Sequence, residues 1–249
     1  MNELYNMIFK RKSFHLFNSK LKISEKEINA IYERYNNLIP LYDDIKTSIK
    51  IVPSKQSTCR RGNEYTILIY SEKEDNYLTN IGYMFEQLDI YLASINIGAL
   101  WYGIGKESNL DNLDFVIMMG ISKVNENDFR KDMYKSKRKN IEEIFEGEYY
   151  KDIFDIARFS PSACNTQPWK VKTTKNEINI SRYKLPGKRG IMPVDKVMYY
   201  NKIDIGIFLL ISEVIMKHNN ISYDRKLFVD NSSINEENTL IATYRIKNE

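Results

Sequence analysis

SPSACNTQPW, residues Ser160 to Trp169, decides how this chain is read. Pro161 stiffens the backbone after the helical run IFDIARF, and Pro168 steers Gln167 toward extended geometry ahead of a strand that opens at Trp169. Ser162 and Asn165 bring a hydroxyl and an amide to the intervening turn, so the loop can offer hydrogen bonds to the edge of a planar polar ligand. The plainer reading is a helix end followed by a turn. Cys164 lies between the polar positions and reads as a small buried residue, not a nucleophile.

Near the amino terminus stands RKSFHLF, Arg11 to Phe17. Its guanidinium and hydroxyl suit an anion such as a phosphate; alternatively it is an amphipathic helix end with solvated cations and Phe14 and Phe17 in the core. Taken together, the two stretches resemble the A-P-S-x-x-N-x-Q-P-W and R-R-S-x-R-x-F signatures of the nitroreductase family, FMN-dependent NAD(P)H oxidoreductases that work as intertwined homodimers. Ser160 replaces the family's Ala, and His15 replaces an Arg or Lys. The two motifs are also much farther apart here than in ordinary members.

The resemblance implies that Arg11, Lys12 and Ser13 serve the flavin phosphate region and that His15 sits near the N1/O2 locus, where its charge is pH-dependent. It places Pro161, Ser162, Ala163, Asn165 and Gln167 along the ring edge. LWYGIGK, Leu100 to Lys106, stands where the family has a Trp-Ile-Gly segment, with Gly103 and Gly105 permitting close backbone approach. Arg60, in STCRRGNEY, precedes a strand at a place where members put a residue near the flavin. The basic run RKDMYKSKRK reads either as a solvated face or as the family's late cationic segment, with Lys137 and Arg138 reaching the phosphate. It lacks the aromatic platform of a nucleic-acid tract. No catalytic side chain is assigned. Family members draw the basic motif from one subunit and the Pro-Ser-x-x-Asn loop from the other, so a chain holding one in each half looks like a fused pair with one FMN.

An internal repeat fits that view. Ile81-Gly82 aligns with Ile205-Gly206 at an offset of 124 (205 − 81), and the same offset pairs Asn96-Ile97 with Asn220-Ile221 and FVIMMGIS with TLIATYRI. Each half is expected to contain an opening helix, a strand (SIKIV; WKVKTT), an edge hairpin strand (YTILIYS; EINIS), a long helix ending near Gly98 or Ser222, and a closing strand. The expectation is an α+β fold, a central mixed or antiparallel sheet covered by helices, in two pseudo-repeats, 1–146 and 147–249, that share one core without a linker.

Composition is that of a globular domain: 249 residues, 43% hydrophobic, 12% aromatic and 28% charged. A net charge of +4 does not point to nucleic acid or membrane. The first residues lack the pattern of a signal peptide, and no apolar run suffices to cross a bilayer, so the cytoplasm is expected. Cys59 and Cys164 are expected reduced, and with only His15 and His218 beside them no metal site is expected. The resemblance implies ping-pong hydride transfer from NAD(P)H through FMN to a nitroaromatic, quinone or similar flat acceptor, by a monomeric pseudo-dimer or a homodimer. An FMN-binding module with little turnover, and a flavin-free interaction protein, are the readings in other classes.

Overall fold

The computed structural model describes residues 4–183, 192–231 and 238–247. Its elements run α1 (Tyr5–Lys10), α2 (Glu25–Asn36), β1 (Thr47–Pro53), β2 (Tyr65–Ser71), α3 (Tyr77–Ser94), β3 (Ile97–Tyr102), β4 (Asp114–Lys123), α4 (Ile141–Ile144), β5 (Phe145–Glu146), α5 (Lys151–Ala157), β6 (Trp169–Thr173), β7 (Glu177–Tyr183), α6 (Val194–His218), β8 (Tyr223–Leu227) and β9 (Asn238–Ile246). Two compact units divide the chain. One comprises Asn6–Tyr77 and Met84–Met133; the other comprises Leu78–Tyr83 and Tyr134–Glu249, with the residues through Tyr5.

In the first unit the sheet order is β1-β2-β4-β3, antiparallel throughout. β2 holds the interior because its run YTILIYS is buried at nearly every position. Helix α2 starts where a capping box fixes it, Ser24 accepting from Glu27 N–H while the Glu27 carboxylate accepts from Ser24 N–H. Phe14, Phe17, Ala93, Leu100, Val124 and Phe129 form one core cluster, with Phe129 edge-on to Phe14 at 5.3 Å.

The second unit repeats that order as β6-β7-β9-β8, with the two-residue β5 added in parallel beside β6. In both sheets the long helix lies in sequence between the second and third strands, and the central pair carries one register break. Asn96 and Asn220, at the common offset, both adopt φ 57° just beyond those helices. Trp169 stacks on Phe208 at 4.6 Å, anchoring β6 to α6.

Several elements differ from the sequence expectation. YTILIYS and EINIS are interior strands, since the edges are β1 and β3 in one sheet and β5 and β8 in the other. Gly98 does not end a helix: α3 stops at Ser94, the left-handed Asn96 turns the chain, and Gly98 lies within β3. A Cβ there would meet the Phe14 ring at 2.8 Å, so the glycine makes room for the aromatic. Strands β3, β5 and β8 were not anticipated.

In the second unit, the start of α3 crosses α6 backbone to backbone. A Cβ on Gly82 would lie 2.0 Å from the Ile203 carbonyl oxygen and 3.0 Å from Ile207 N; one on Gly206 would lie 2.0 Å from the Thr79 oxygen and 2.9 Å from Tyr83 N. These contacts are reciprocal, because the offset that relates Gly82 to Gly206 also relates Thr79 to Ile203 and Tyr83 to Ile207. That is the pattern of an isologous contact. Below the crossing, buried Glu213 accepts from Tyr83 Oη at 2.7 Å and Tyr244 Oη at 2.8 Å, and Arg225 Nη1 reaches its two oxygens at 2.9 and 3.1 Å. Gly82→Ala and Gly206→Ala should each lower stability by about 3 kcal/mol or more, since backbone cannot yield to a methyl group as a side chain can. Urea unfolding measures this; a loss under 1 kcal/mol in both variants would contradict the crossing geometry.

Candidate functional site

The Arg11–Phe17 stretch is strapped along β3 in the first unit. Ser13 bridges Ala99 in parallel, Phe14 N–H donates to the Ala99 carbonyl at 3.0 Å, and Phe17 N–H donates to the Arg61 carbonyl at 2.8 Å. Arg11 turns inward and is only 5% exposed. Its Nε donates to Asp89 Oδ2 at 2.8 Å, Nη2 lies 2.7 Å from the same oxygen, and Glu86 is 3.9 Å away. Trp101 Nε1 donates to that Asp89 oxygen as well, at 3.1 Å. Burial, then the neighbouring Asp89, pushes the Glu86 carboxyl well above the usual range, with Arg11 opposing. A phosphate that used Arg11 must therefore compete with Asp89 for a guanidinium that solvent barely reaches.

The other cations of this motif are outside. Lys12 and His15 are exposed, Lys12 Nζ donating to the Asp128 carbonyl at 2.6 Å. Arg60 folds back onto the carbonyls of Ser54 and Ser57, where it closes a short turn. Gly103 and Gly105 follow β3, and a Cβ on Gly105 would meet the Met118 side chain at 2.6 Å. The space that Gly105 leaves is thus filled by Met118.

The Ser160–Trp169 loop belongs to the second unit, between α5 and β6. Cys164, Asn165 and Gln167 have φ of 49°, 55° and 49°, left-handed values that cost side chains about 1–3 kcal/mol each. The expected extended Gln167 is overturned by hydrogen bonds. Its N–H donates to Ser162 Oγ at 3.0 Å, and its Oε1 accepts from Lys139 N–H at 2.8 Å. Cys164 is exposed, not buried, because the turn carries it outward; the buried thiol is Cys59, which burial pushes up to about 11. Both cysteines are unpaired.

Arg138 holds this loop from outside. Nη1 donates to Asn165 Oδ1 at 2.9 Å, and Nη2 approaches the Phe159 and Ser160 carbonyls at 3.3 Å each. Asn165 Nδ2 returns a bond to the carbonyl of exposed Lys137 at 3.2 Å. Ser162 and Ala163 remain partly exposed, as does Pro161. The structure thus brings Lys137, Arg138, Pro161, Ser162, Ala163, Asn165 and Gln167 together in one unit, and it places Arg11, Lys12, Ser13, His15, Arg60, Gly103 and Gly105 in the other.

The sequence reading missed two residues that hold the loop from beneath. Asp204 Oδ1 accepts from Ala163 N–H at 2.9 Å, and Asn201 Oδ1 accepts from the Thr166 hydroxyl at 3.0 Å. The signal was an acidic residue in the otherwise apolar IDIGIFLLI of α6. Among the described residues no group of His, Cys, Asp and Glu is arranged to hold a metal ion, and no helix is long and apolar enough to cross a membrane.

The family profile described as "Putative TM nitroreductase" matches residues 3–214, a span that contains both motifs. The chain belongs to the nitroreductase family. As such it is an oxidoreductase. The crystal structure of a putative nitroreductase from Thermotoga maritima MSB8 shares this nitroreductase fold, with 20% identity and a TM-score of 0.64 over 98% of this chain and 93% of that one. A nitroreductase with bound FMN from Desulfitobacterium hafniense DCB-2 is similar at 12% identity and a TM-score of 0.41, covering 56% of this chain and 100% of that one. A putative nitroreductase in complex with FMN from Desulfovibrio desulfuricans gives 13% and 0.43, over 57% and 95%. No curated protein matches the chain.

Arg11→Ala in this nitroreductase should cost about 3–5 kcal/mol of stability, since it strands Asp89 in the interior. Urea unfolding at pH 7 checks it. An unchanged midpoint would mean that Arg11 serves only a ligand.

Proposed function

We propose that this chain is an FMN-dependent oxidoreductase in which NAD(P)H and a flat acceptor, a nitroaromatic or quinone, react in turn by a ping-pong mechanism. The observation that carries this reading is a single family match spanning both signature motifs. When bound, FMN supplies the two-electron carrier whose N5 accepts and returns hydride.

The donor set fits such a group. Ser162 Oγ accepts from Gln167 N–H and keeps its own proton to donate, Asn165 is exposed on a left-handed turn, and the Arg138 guanidinium stands beside it. These residues, with Pro161 and Ala163 backbone, would meet the polar ring edge or the phosphate. Lys137 would add a further cation, and Lys12, Ser13 and His15 are polar groups of the other motif, carried by the first unit. Arg11, Arg60, Gly103, Gly105 and Gln167 act in this reading by shaping their segments. No side-chain acid or base is assigned.

The shared strand order, the reciprocal glycine crossing and the constant offset support an internal duplication, with halves 1–146 and 147–249, acting as a monomeric pseudo-dimer or a homodimer. Unpaired thiols suit action in the cytoplasm. One FMN per chain is expected, because the first half lacks a Pro-Ser-x-x-Asn loop.

Protein incubated with excess FMN and desalted should retain about one flavin per chain and oxidise NAD(P)H when a quinone is supplied. The pair Ser162→Ala with Asn165→Ala should weaken binding about tenfold or more through lost hydrogen bonds. Flavin without turnover would favour a binding module; a colourless protein that cannot be reconstituted would reject the enzyme reading.

A further inference from the structure

The loop Ala163–Gln167 holds an unfavourable conformation, with Cys164, Asn165 and Gln167 all left-handed. From the α6 side, three polar contacts keep it there. Ala163 N–H donates to Asp204 Oδ1 at 2.9 Å, and the Thr166 hydroxyl lies 3.0 Å from Asn201 Oδ1 and 3.3 Å from Asp204 Oδ2. Thr166, Asn201 and Asp204 are buried to within 3% of complete exclusion from solvent. We propose that Asp204 is a positioning residue for the flavin motif: its carboxyl group latches the strained turn that presents Ser162 and Asn165. This rests on the reading of that loop as the flavin-binding segment.

Counting protons shows how the latch works. The Thr166 hydroxyl has one hydrogen, so it serves Asn201 or Asp204 but not both. If Asp204 carries a proton on Oδ2, that proton can go to Thr166 Oγ1, whose own hydrogen goes to Asn201, while Oδ1 still accepts from Ala163. Every contact then has one hydrogen. If Asp204 is ionised, Oδ2 must take the Thr166 hydrogen from Asn201 or stay buried without a donor. Burial pushes the Asp204 carboxyl up to about 8, with the Ala163 and Thr166 bonds opposing.

Among the described residues, charged and titratable neighbours do not replace the proton. On α6, Lys202 is committed to the Asp230 carbonyl at 2.8 Å, and burial raises the Tyr200 hydroxyl. On the loop, Cys164 points outward and Arg138 binds Asn165. Just past α5, Arg158 pairs with Asp155 at 2.8 Å.

The sign follows from linkage. The closed loop binds a proton more tightly than an open, hydrated one, so the latch is fully effective below the ordinary carboxyl range of about 4 and is lost as pH rises through about 8. Over that window the opening equilibrium should grow by up to about tenfold per pH unit.

The test is amide hydrogen exchange of the Ser160–Trp169 segment without FMN, corrected for intrinsic rates, from pH 5 to 8.5. In the native chain, protection should fall by about tenfold per pH unit and level off near pH 8. Asp204→Asn, whose carboxamide can still accept from Ala163 and donate to Thr166, should give protection independent of pH. Asp204→Ala should exchange quickly at every pH. A pH-independent native profile, or an Asp204→Asn profile that tracks the native one, overturns the latch. FMN titration by fluorescence quenching separates the two readings. If exchange behaves as described and FMN binds at least tenfold more weakly to Asp204→Ala, both stand. FMN binding of native strength in Asp204→Ala overturns the positioning role. The expected exchange with no FMN binding at any pH leaves the latch in place and rejects the flavin reading.

Discussion

Backbone-on-backbone contact between the start of α3 and the middle of α6 leaves no side-chain layer that could shift to absorb error. Gly82 and Gly206 each face a carbonyl oxygen that would lie 2.0 Å from an added Cβ, so the first turns of α3 and the middle of α6 can slide or rotate very little. Gly206 stands two positions beyond Asp204 on the same helix, and the crossing therefore fixes the height at which Asp204 and Asn201 meet the Ala163–Thr166 turn. It also brings Tyr83 over Glu213, closing a buried hydrogen-bond network on its other side. A contact with no chemistry of its own thus places the polar groups that have some.

The buried acids of the two units fall into two kinds, and donor supply separates them. Glu213 receives two phenols and a guanidinium, Asp230 receives two bonds from Arg182, and Asp89 receives Arg11 and Trp101. Among the described residues Asp204 and Glu86 have no such close cationic donor, and burial shifts both toward the protonated form. Protonation lets a buried acid donate as well as accept. For Asp204 this matters because its partners are a backbone N–H and a hydroxyl, a pair that a neutral acid can satisfy completely.

Much of the fold was legible because it rests on local pattern. YTILIYS and EINIS read as strands from their apolar β-branched content, and FVIMMGIS and TLIATYRI likewise became β4 and β9. The helix ends were misjudged because apolar character continues through Asn96 into β3, while the real stop is a left-handed asparagine. The local roles of the candidate site residues were not legible. Nothing near Arg11 reveals that its partner is Asp89, 78 positions later. The proline rule for Gln167 failed because Ser162 and Lys139 hold that residue by tertiary hydrogen bonds. Asp204 escaped notice because its significance depends on the amide of Ala163, which only folding brings near.

The common offset sharpens the contrast between the two sheet-and-helix arrangements. On α3, Asp89 takes a bond from Trp101 of β3; at the same offset on α6, Glu213 takes one from Arg225 of β8. An acid on the long helix facing a donor on the following strand is thus common to both. Asp204 has Asn80 as its counterpart, and Asn80 stands in the half without a Pro-Ser-x-x-Asn loop. The acid on the long helix that faces the following strand is present twice, whereas the acid that touches the loop is present once, on the helix that packs beneath the loop. A requirement of the scaffold alone would place a carboxyl group at both positions. Its restriction to α6 ties Asp204 to the Ala163–Gln167 turn.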